Sequence, residues 1–350
     1  MSITNSPTIA DVARRASVSI ATVSRVLNGS SAVVSETAAR VHAAIAELNY
    51  VPRTAARVLA SRKTFTIGLL LPEISGDFFS PMLRGIELAA RQAGYDLLIH
   101  TTLPRPESPS RRTLGEHNTD GLIVFTGSLG EEELVRLYQL GFPLVLMHQS
   151  PPDGFHIPQV TVENKDGARC LVEHLIQVHD RQRIVFLRGA EHHEDSAWRE
   201  RGYREALELH NLPFNPGLVA LGGFDRTIAA HSIRSLLQQK VRFDAVFSGD
   251  DEAAVGVLTA LREAGISVPQ DVAVGGFDDT PLASYLSPTL TTVHAPIEQV
   301  GSEAVRLLLK AIQAKQWEPV ELTVLLPTEL MIRQSCGCLP KGEEVVARSK

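Results

Sequence analysis

From Thr66 onward the chain is built of apolar runs, four to six residues long, separated by helix-length amphipathic segments. The runs are TIGLLL, YDLLIH, GLIVF, PLVLM, RIVFL, DAVFSG and VAVGG. A strand covered on both faces reads as a continuous apolar run, whereas a half-exposed one alternates apolar and polar residues. The pattern therefore predicts buried parallel strands joined by crossover helices, an α/β body. The chain of 350 residues has room for about two domains, and 44% hydrophobic with 21% charged residues excludes a disordered or fibrous protein. No short-period repeat is present, although the body has room for two α/β halves. TTLPRPESPSRRTLGEHN, with three prolines, reads as an exposed connection. No run of 18 apolar residues exists to span a bilayer, and MSITNSPTIADVARR lacks the apolar stretch of a secretory signal. A cytoplasmic chain without a membrane partner is expected. Cys170, Cys336 and Cys338 are too few for a disulfide framework and are expected as free thiols.

The first 50 residues follow a different pattern. Thr8 is a good N-cap, with Asp11 three residues on as in a capping box, and Ile9, Val12, Ala13 and Ala16 follow at helical spacing. Ser17 to Ser19 interrupt before a second helix in which Val23, Val26 and Leu27 face inward while Ile20, Ala21, Ser24 and Arg25 face outward. Asn28 and Gly29 end it, and a third helix from about Ser35 to Asn49 puts Val41, Ile45 and Leu48 on one face. Pro52 stops this unit, and RTAARVLASRK has the length of a two-turn helix too short to be stable alone in water. The charge is uneven. Residues 1–63 hold eight Lys/Arg against three acids, +5, and the remainder 26 against 37, −11, which together make the net −6. Two helices joined by a three-residue turn, the second with a short outward set, are the plan of a helix-turn-helix that lies in the major groove. A small helical bundle with a mildly basic surface has the same composition.

The residues themselves go further. TIADVARRASVSIATVSRVLNGSSAVVSETAARVHAAIAELNYVP closely resembles the DNA-binding headpiece of the lactose repressor/galactose repressor family, most specifically in VSIATVSRVLN and ELNYVP, and the resemblance continues to about residue 335. It implies base reading by Ile20, Ala21 and Arg25. Arg25 suits a bidentate contact with guanine, while Ile20 and Ala21 offer only apolar contact, for example to a thymine methyl. Thr8, Ser19, Thr22, Ser24 and Asn28 would suit phosphate anchoring, with helix capping the competing role for Thr8 and Asn28. Arg53 to Arg62 fall on the family's hinge segment, and Leu59 on the leucine that the family inserts into the minor groove; the other reading of Leu59 is the apolar side of a linker helix.

An α/β body on such a reader could carry catalysis, but GxxxxGKS/T, GxGxxG after a strand, GxSxG and HExxH are all absent, and no catalytic residue or cofactor is expected. His192, His193, Glu194 and Asp195 read as a solvated loop rather than a metal set. Cys336 and Cys338 form a CxC that would bind metal only if His or Cys partners converged from elsewhere, so no metal is expected. The family's body resembles the periplasmic sugar-binding fold, two α/β lobes that close over a small molecule beyond the carboxyl ends of their strands. The resemblance places effector binding on Arg199, Asp278, Asp250, Phe224, Phe78, Phe79 and His148. A carboxylate opposite a guanidinium is well matched to a polyol. Asp250 and Asp278 are equally ordinary as helix caps, and any of the phenylalanines as core. Two departures stand out: His148 occupies a position where the family usually has Asp, and the connection between His100 and Asp120 is short and proline-rich.

The expected organisation is an all-α helix-turn-helix headpiece over 1–51, a hinge over 52–63, a two-lobed periplasmic-binding-protein-like parallel α/β body over 64–338 and a polar tail over 339–350. Lobe 1 is expected at about 64–162 and 293–322, lobe 2 at about 163–290 and 323–338. The expected function is a repressor of a carbohydrate-use operon, a homodimer on a pseudo-palindromic double-stranded DNA operator, answering to a sugar or sugar derivative. The alternatives are a sugar receptor without a DNA role and a sugar-modifying enzyme. KGEEVVARSK is too short and polar for a heptad zipper, which speaks against a tetramer.

Overall fold

A computed structural model describes residues 7–27, 33–50, 63–102, 114–191, 193–314 and 322–338. They form two compact units that divide after Thr64. In the first, α1 (Ile9–Ala16), α2 (Ile20–Leu27) and α3 (Ser35–Glu47) enclose one small core. The capping box is present: Thr8 Oγ1 accepts from the Asp11 amide, and the Asp11 carboxylate accepts from the Thr8 amide at 2.9 Å. Ser17 ends α1 in the left-handed region at φ 53°, and Ser19 Oγ accepts from the Thr22 amide at 3.1 Å to start α2. Val12, Ala13, Ala16, Val23, Val26 and Val41 are buried as the helical spacing predicts. Ile45 and Leu48, expected inside, are only partly buried, and Ala44 and Tyr50 fill the space instead. The reason is the stop of α3 at Glu47: Asn49, at φ 46°, turns the chain back and brings Tyr50 under the helix. Asn28, Leu59, all of the expected hinge over 52–63 except Lys63, and the tail over 339–350 lie outside the described residues.

The second unit contains two six-stranded sheets. The first is built from β1 (Thr66–Leu71), β2 (Asp96–Thr101), β3 (Gly121–Phe125), β4 (Leu144–Met147), β5 (Gln159–Val162) and β11 (Thr323–Leu326), in the order β2-β1-β3-β4-β5-β11. The second is built from β6 (Ile184–Arg188), β7 (Val219–Leu221), β8 (Ala245–Ser248), β9 (Ala273–Asp278), β10 (Thr291–His294) and β12 (Glu329–Met331), in the order β7-β6-β8-β9-β10-β12. The two orders are the same, and every ladder is parallel except β10 with β12. The helices are α4 (Phe79–Gln92), α5 (Glu131–Gln139) and α11 (Ile297–Gln313) with the first sheet, and α6 (Asn164–His179), α7 (Glu194–Leu209), α8 (Arg226–Gln238), α9 (Asp251–Glu263) and the short α10 (Pro281–Tyr285) with the second. All seven apolar runs contain strands, and six are buried. The exception is β2, an edge strand whose Leu98 and Ile99 are about 40% exposed.

The lobe boundaries differ from expectation near the C-terminus. All of β10 pairs in the second sheet, so lobe 2 runs through His294. β11 pairs with β5 in the first sheet, Thr323 opposite Gln159, so Thr323–Leu326 belong to lobe 1 and the last crossing falls between Leu326 and Glu329. A four-residue strand carries no local signal of which sheet it joins, and its partner is chosen by packing.

Candidate functional site

In the headpiece, helix spacing sorts α2 into two faces. Val23 and Val26 face the core, and Ile20, Ala21 and Arg25 are exposed, Ile20 at 51%. An apolar side chain, Ile20, and a cationic one, Arg25, thus share the outer face of a helix whose opposite face is buried. Ser19 and Thr22 are joined through their hydroxyls at 2.9 Å at the start of α2. Thr8 and Ser19 therefore act as caps in this structure, a role compatible with phosphate contact.

In the body, the strands end in two unlike surfaces. On lobe 1, Phe78 and Phe79 open α4 and meet Phe125 at the end of β3 and His148 just after β4. Phe78 lies edge-on to Phe79 at 5.4 Å and to His148 at 5.8 Å, and Phe125 lies 5.4 Å from His148. Phe79, at 9% exposure, belongs to the core beneath, whereas Phe78 is the more open of the two. His148 is buried in the left-handed region at φ 58°.

On lobe 2 the strand ends carry charge. Arg199, buried on α7, donates Nε to Asn164 Oδ1 at 2.8 Å, Nη1 to the Gly249 carbonyl and Nη2 to Asp278 Oδ1 at 3.2 Å, with its guanidinium 3.7 Å from the Phe277 ring. Asp250 caps α9 by accepting from the Ala253 amide at 2.9 Å. Burial, and then the Asp278 carboxylate, push Asp250 up to about 8, while burial raises Asp278 against the pull of Arg199. Asp251 is held well above the usual range by burial and Asp278, and accepts from Thr280 and Thr292. Phe224 takes φ 57° and lies over Gly189 and Gly249; a Cβ on Gly189 would come within 2.4 Å of its ring, so only glycine admits it.

The lobes meet through His148 Nδ1 and Asp195 Oδ2 at 2.7 Å, and through Ser150 and the Glu194 carboxylate at 2.6 Å. Asp195 also accepts from Asn164 at 2.9 Å. Burial alone would raise Asp195, but the charge and hydrogen bond of His148, with Arg199, bring it down to about 2. The solvated-loop reading of His193, Glu194 and Asp195 is thus wrong: Glu194 and Asp195 open α7, Asp195 is 5% exposed, and His193 stacks edge-on against Phe224 at 4.9 Å. His192 lies outside the described residues. Asp195, Asn164 and Asp251 escaped the sequence reading. Asp195 stands four residues before Arg199, one turn away on the same helix face, and that spacing was the available signal. His148 Nε2, His193 Nδ1 and Ser248 Oγ are buried without a partner among the described residues, which is costly unless a ligand or water completes them. A cavity of about 360 Å³ adjoins the lobe contact, lined by His148, Asn164, Glu194, Asp195 and Trp198 among others. Of the expected effector residues it includes only His148; Asp278 lines a different cavity.

A helical reader followed by two like α/β lobes with a polar cleft defines a class, the ligand-responsive, DNA-binding transcriptional regulators. Comparison with known proteins narrows it. Residues 8–53 match the model of bacterial regulatory proteins of the lacI family, and residues 172–336 match that of the periplasmic binding protein-like domain. Catabolite control protein A of Priestia megaterium is 34% identical over 333 residues, 94% of this chain and 98% of that protein. The ribose operon repressor of Escherichia coli is 34% identical over 325 residues, 91% of this chain and 98% of that one. The lac repressor dimer bound to operator and the anti-inducer ONPF superposes with a TM-score of 0.81 at 26% identity, over 95% of this chain and 99% of that chain. The chain belongs to the LacI family. No described helix is long and apolar enough to cross a membrane.

Proposed function

We propose that this protein is a cytoplasmic, non-enzymatic repressor that binds a pseudo-palindromic operator as a homodimer and answers to a sugar or sugar derivative. The buried Arg199–Asp278 pair carries the ligand half of this reading. A guanidinium with fixed donors beside a carboxylate, at the ends of parallel strands and next to Phe224, can grip neighbouring hydroxyls and cover an apolar sugar face. Asp250, His148 and Phe78 complete the site, with Phe79 beneath it. The ribose operon repressor and the operator-bound dimer among its relatives support the same class of ligand and partner. On the DNA side, Ile20, Ala21 and Arg25 read bases, and Thr8, Ser19, Thr22, Ser24 and Asn28 anchor phosphates. Leu59 wedges the minor groove from a hinge that folds on DNA; ligand-driven closure of the lobes shifts that folding equilibrium.

The test titrates a panel of sugars and sugar phosphates against the protein with and without operator. Asp278→Asn keeps the size of the side chain but replaces an acceptor-only carboxylate, so ligand response is lost while ligand-free operator affinity stays near wild type. An unchanged response in that variant would remove Asp278 from the site. Arg25→Ala costs about 1 to 3 kcal/mol of operator binding and relaxes preference at one base in each half-site. Selection from random DNA that returned the wild-type consensus would show that Arg25 reads no base.

A further inference from the structure

The CxC near the C-terminus does find partners. Cys336 and Cys338 come against His174 and His179, the penultimate turn and last residue of α6, and the four donor atoms all lie within 4.8 Å of one another. His174 Nε2 is 3.4 Å from Cys336 Sγ and 3.8 Å from Cys338 Sγ, and His179 Nε2 is 3.4 Å from Cys338 Sγ. The two imidazoles meet edge to face at 5.0 Å. We propose that His174, His179, Cys336 and Cys338 form a tetrahedral zinc(II) site that staples the C-terminal segment of lobe 2 to the end of α6.

The geometry fits that ion. With Zn–S at about 2.3 Å and Zn–N at about 2.0 to 2.1 Å, the nitrogen-to-sulfur edge of a tetrahedron is about 3.6 Å, which the three separations bracket. Two thiols and two imidazoles are the donor set of zinc, while magnesium and calcium take oxygen. Binding releases two thiol protons to solvent, so a doubly charged ion with two thiolates and two neutral imidazoles has no net charge. Such a site can sit where this one does, with Cys336 fully buried and His174 only 9% exposed. A charged pair there would be costly.

Both sides are held in place beforehand. Gly337, between the cysteines, takes φ 114°, and a Cβ there would come 3.1 Å from His179 Nδ1, so glycine both permits the turn and lets the imidazole approach. Ser335, one residue before the pair, is pinned to the second sheet: its amide donates to the Thr289 carbonyl at 2.9 Å, its hydroxyl donates to the Val274 carbonyl at 2.6 Å, and its carbonyl accepts from the Val274 amide at 2.8 Å. Opposite, Asp180 ends α6 in the left-handed region at φ 52° directly after His179. The staple lies outside the effector cleft. It anchors the far end of the helix whose first residue, Asn164, holds Arg199 and Asp195.

The full chain, reduced and stripped with a chelator that is then removed, is titrated with cobalt(II) and zinc(II). One cobalt per chain should bind, with the thiolate-to-cobalt charge-transfer band and intense visible bands of a tetrahedral site, and zinc should displace it and raise the melting temperature by several degrees. Cys338→Ser and His179→Ala, both at partly exposed positions, should fold, lose the charge-transfer band and bind zinc on the order of a hundredfold more weakly or less. Cys170→Ser, which removes the exposed cysteine of α6, should behave as wild type. The absence of a charge-transfer band in the reduced wild type, or its survival in Cys338→Ser, would overturn the site and leave a hydrogen-bonded thiol–imidazole cluster.

Discussion

The two lobes have the same strand order and opposite chemistry. Lobe 1 gathers an aromatic cluster, the partly open Phe78 against the buried Phe125 and a single buried imidazole, His148. Lobe 2 presents Arg199, Asp195, Asp250, Asp251 and Asp278, all buried; Arg199 joins Asp278, the Gly249 carbonyl and, through Asn164, Asp195, while Asp251 is held by two threonines and Asp250 by the Ala253 amide. A shared fold therefore fixes where strands end but not what stands on them. Lobe 2 ties its strand ends with a buried ion pair and hydrogen bonds, and lobe 1 packs its own with rings. Under the proposed function lobe 2 would anchor a ligand and lobe 1 close over it, with His148–Asp195 and Ser150–Glu194 as the contacts between them.

The largest effect should come from lobe 2. Arg199→Ala leaves Asp278 without its cation and Asn164 and the Gly249 carbonyl without their donor, and should cost about 3 to 5 kcal/mol of body stability in urea unfolding, as expected when one partner of a buried pair is removed. A loss under about 1 kcal/mol would mean that the charges do not hold the lobe together. The second test uses pH. Asp250 is raised to about 8, so the folded state holds a proton that the unfolded state releases near the usual carboxylate range; stability from this group is full at low pH and is lost as pH rises toward and through 8. Asp195, brought down to about 2, acts in the opposite sense, stabilising above the usual range and losing that contribution as pH falls toward 2. Asp250→Asn keeps an acceptor for the α9 cap, so it should flatten the fall in melting temperature between pH 6 and about 9 and raise the melting point by a few degrees at the upper end. An unaltered slope would move the titration elsewhere. Phe78→Leu should have the smallest effect: stability within about 1 kcal/mol, with effector affinity lower by severalfold. Were stability to fall as far as in Arg199→Ala, the aromatic face would be structural and the contrast between the lobes would disappear.

What local pattern could show, it showed. The capping box at Thr8 and Asp11, the turn at Ser17 to Ser19, the sorting of α2 into Val23 and Val26 within and Ile20, Ala21 and Arg25 without, and the strand in each apolar run are all set by contacts a few residues long. Arg199 and Asp278 were legible through a family resemblance rather than through any spacing. Asp195 was misread because two histidines and two acids look like a wet loop until a strand end from the other lobe places His148 against them. Tyr50 lies beyond the end of α3, so helical periodicity carries no sign of its burial.

Chain order alone determined the fold class of each part, since helical spacing, continuous apolar runs and capping residues are nearest-neighbour physics, while the functional class came through the family resemblance. Tertiary structure decided everything that depends on distance between remote segments. The four-residue strand at Thr323–Leu326 joins lobe 1 because β5 offers it an edge. The carboxylates of Asp250, Asp251 and Asp278 become a coupled set because β8 and β9 end side by side. Cys336 meets His174 across 162 positions because the end of α6 and the last turn of the second lobe pack together. A sequence pattern carries no measure of such separations, and electrostatics and metal coordination depend on little else.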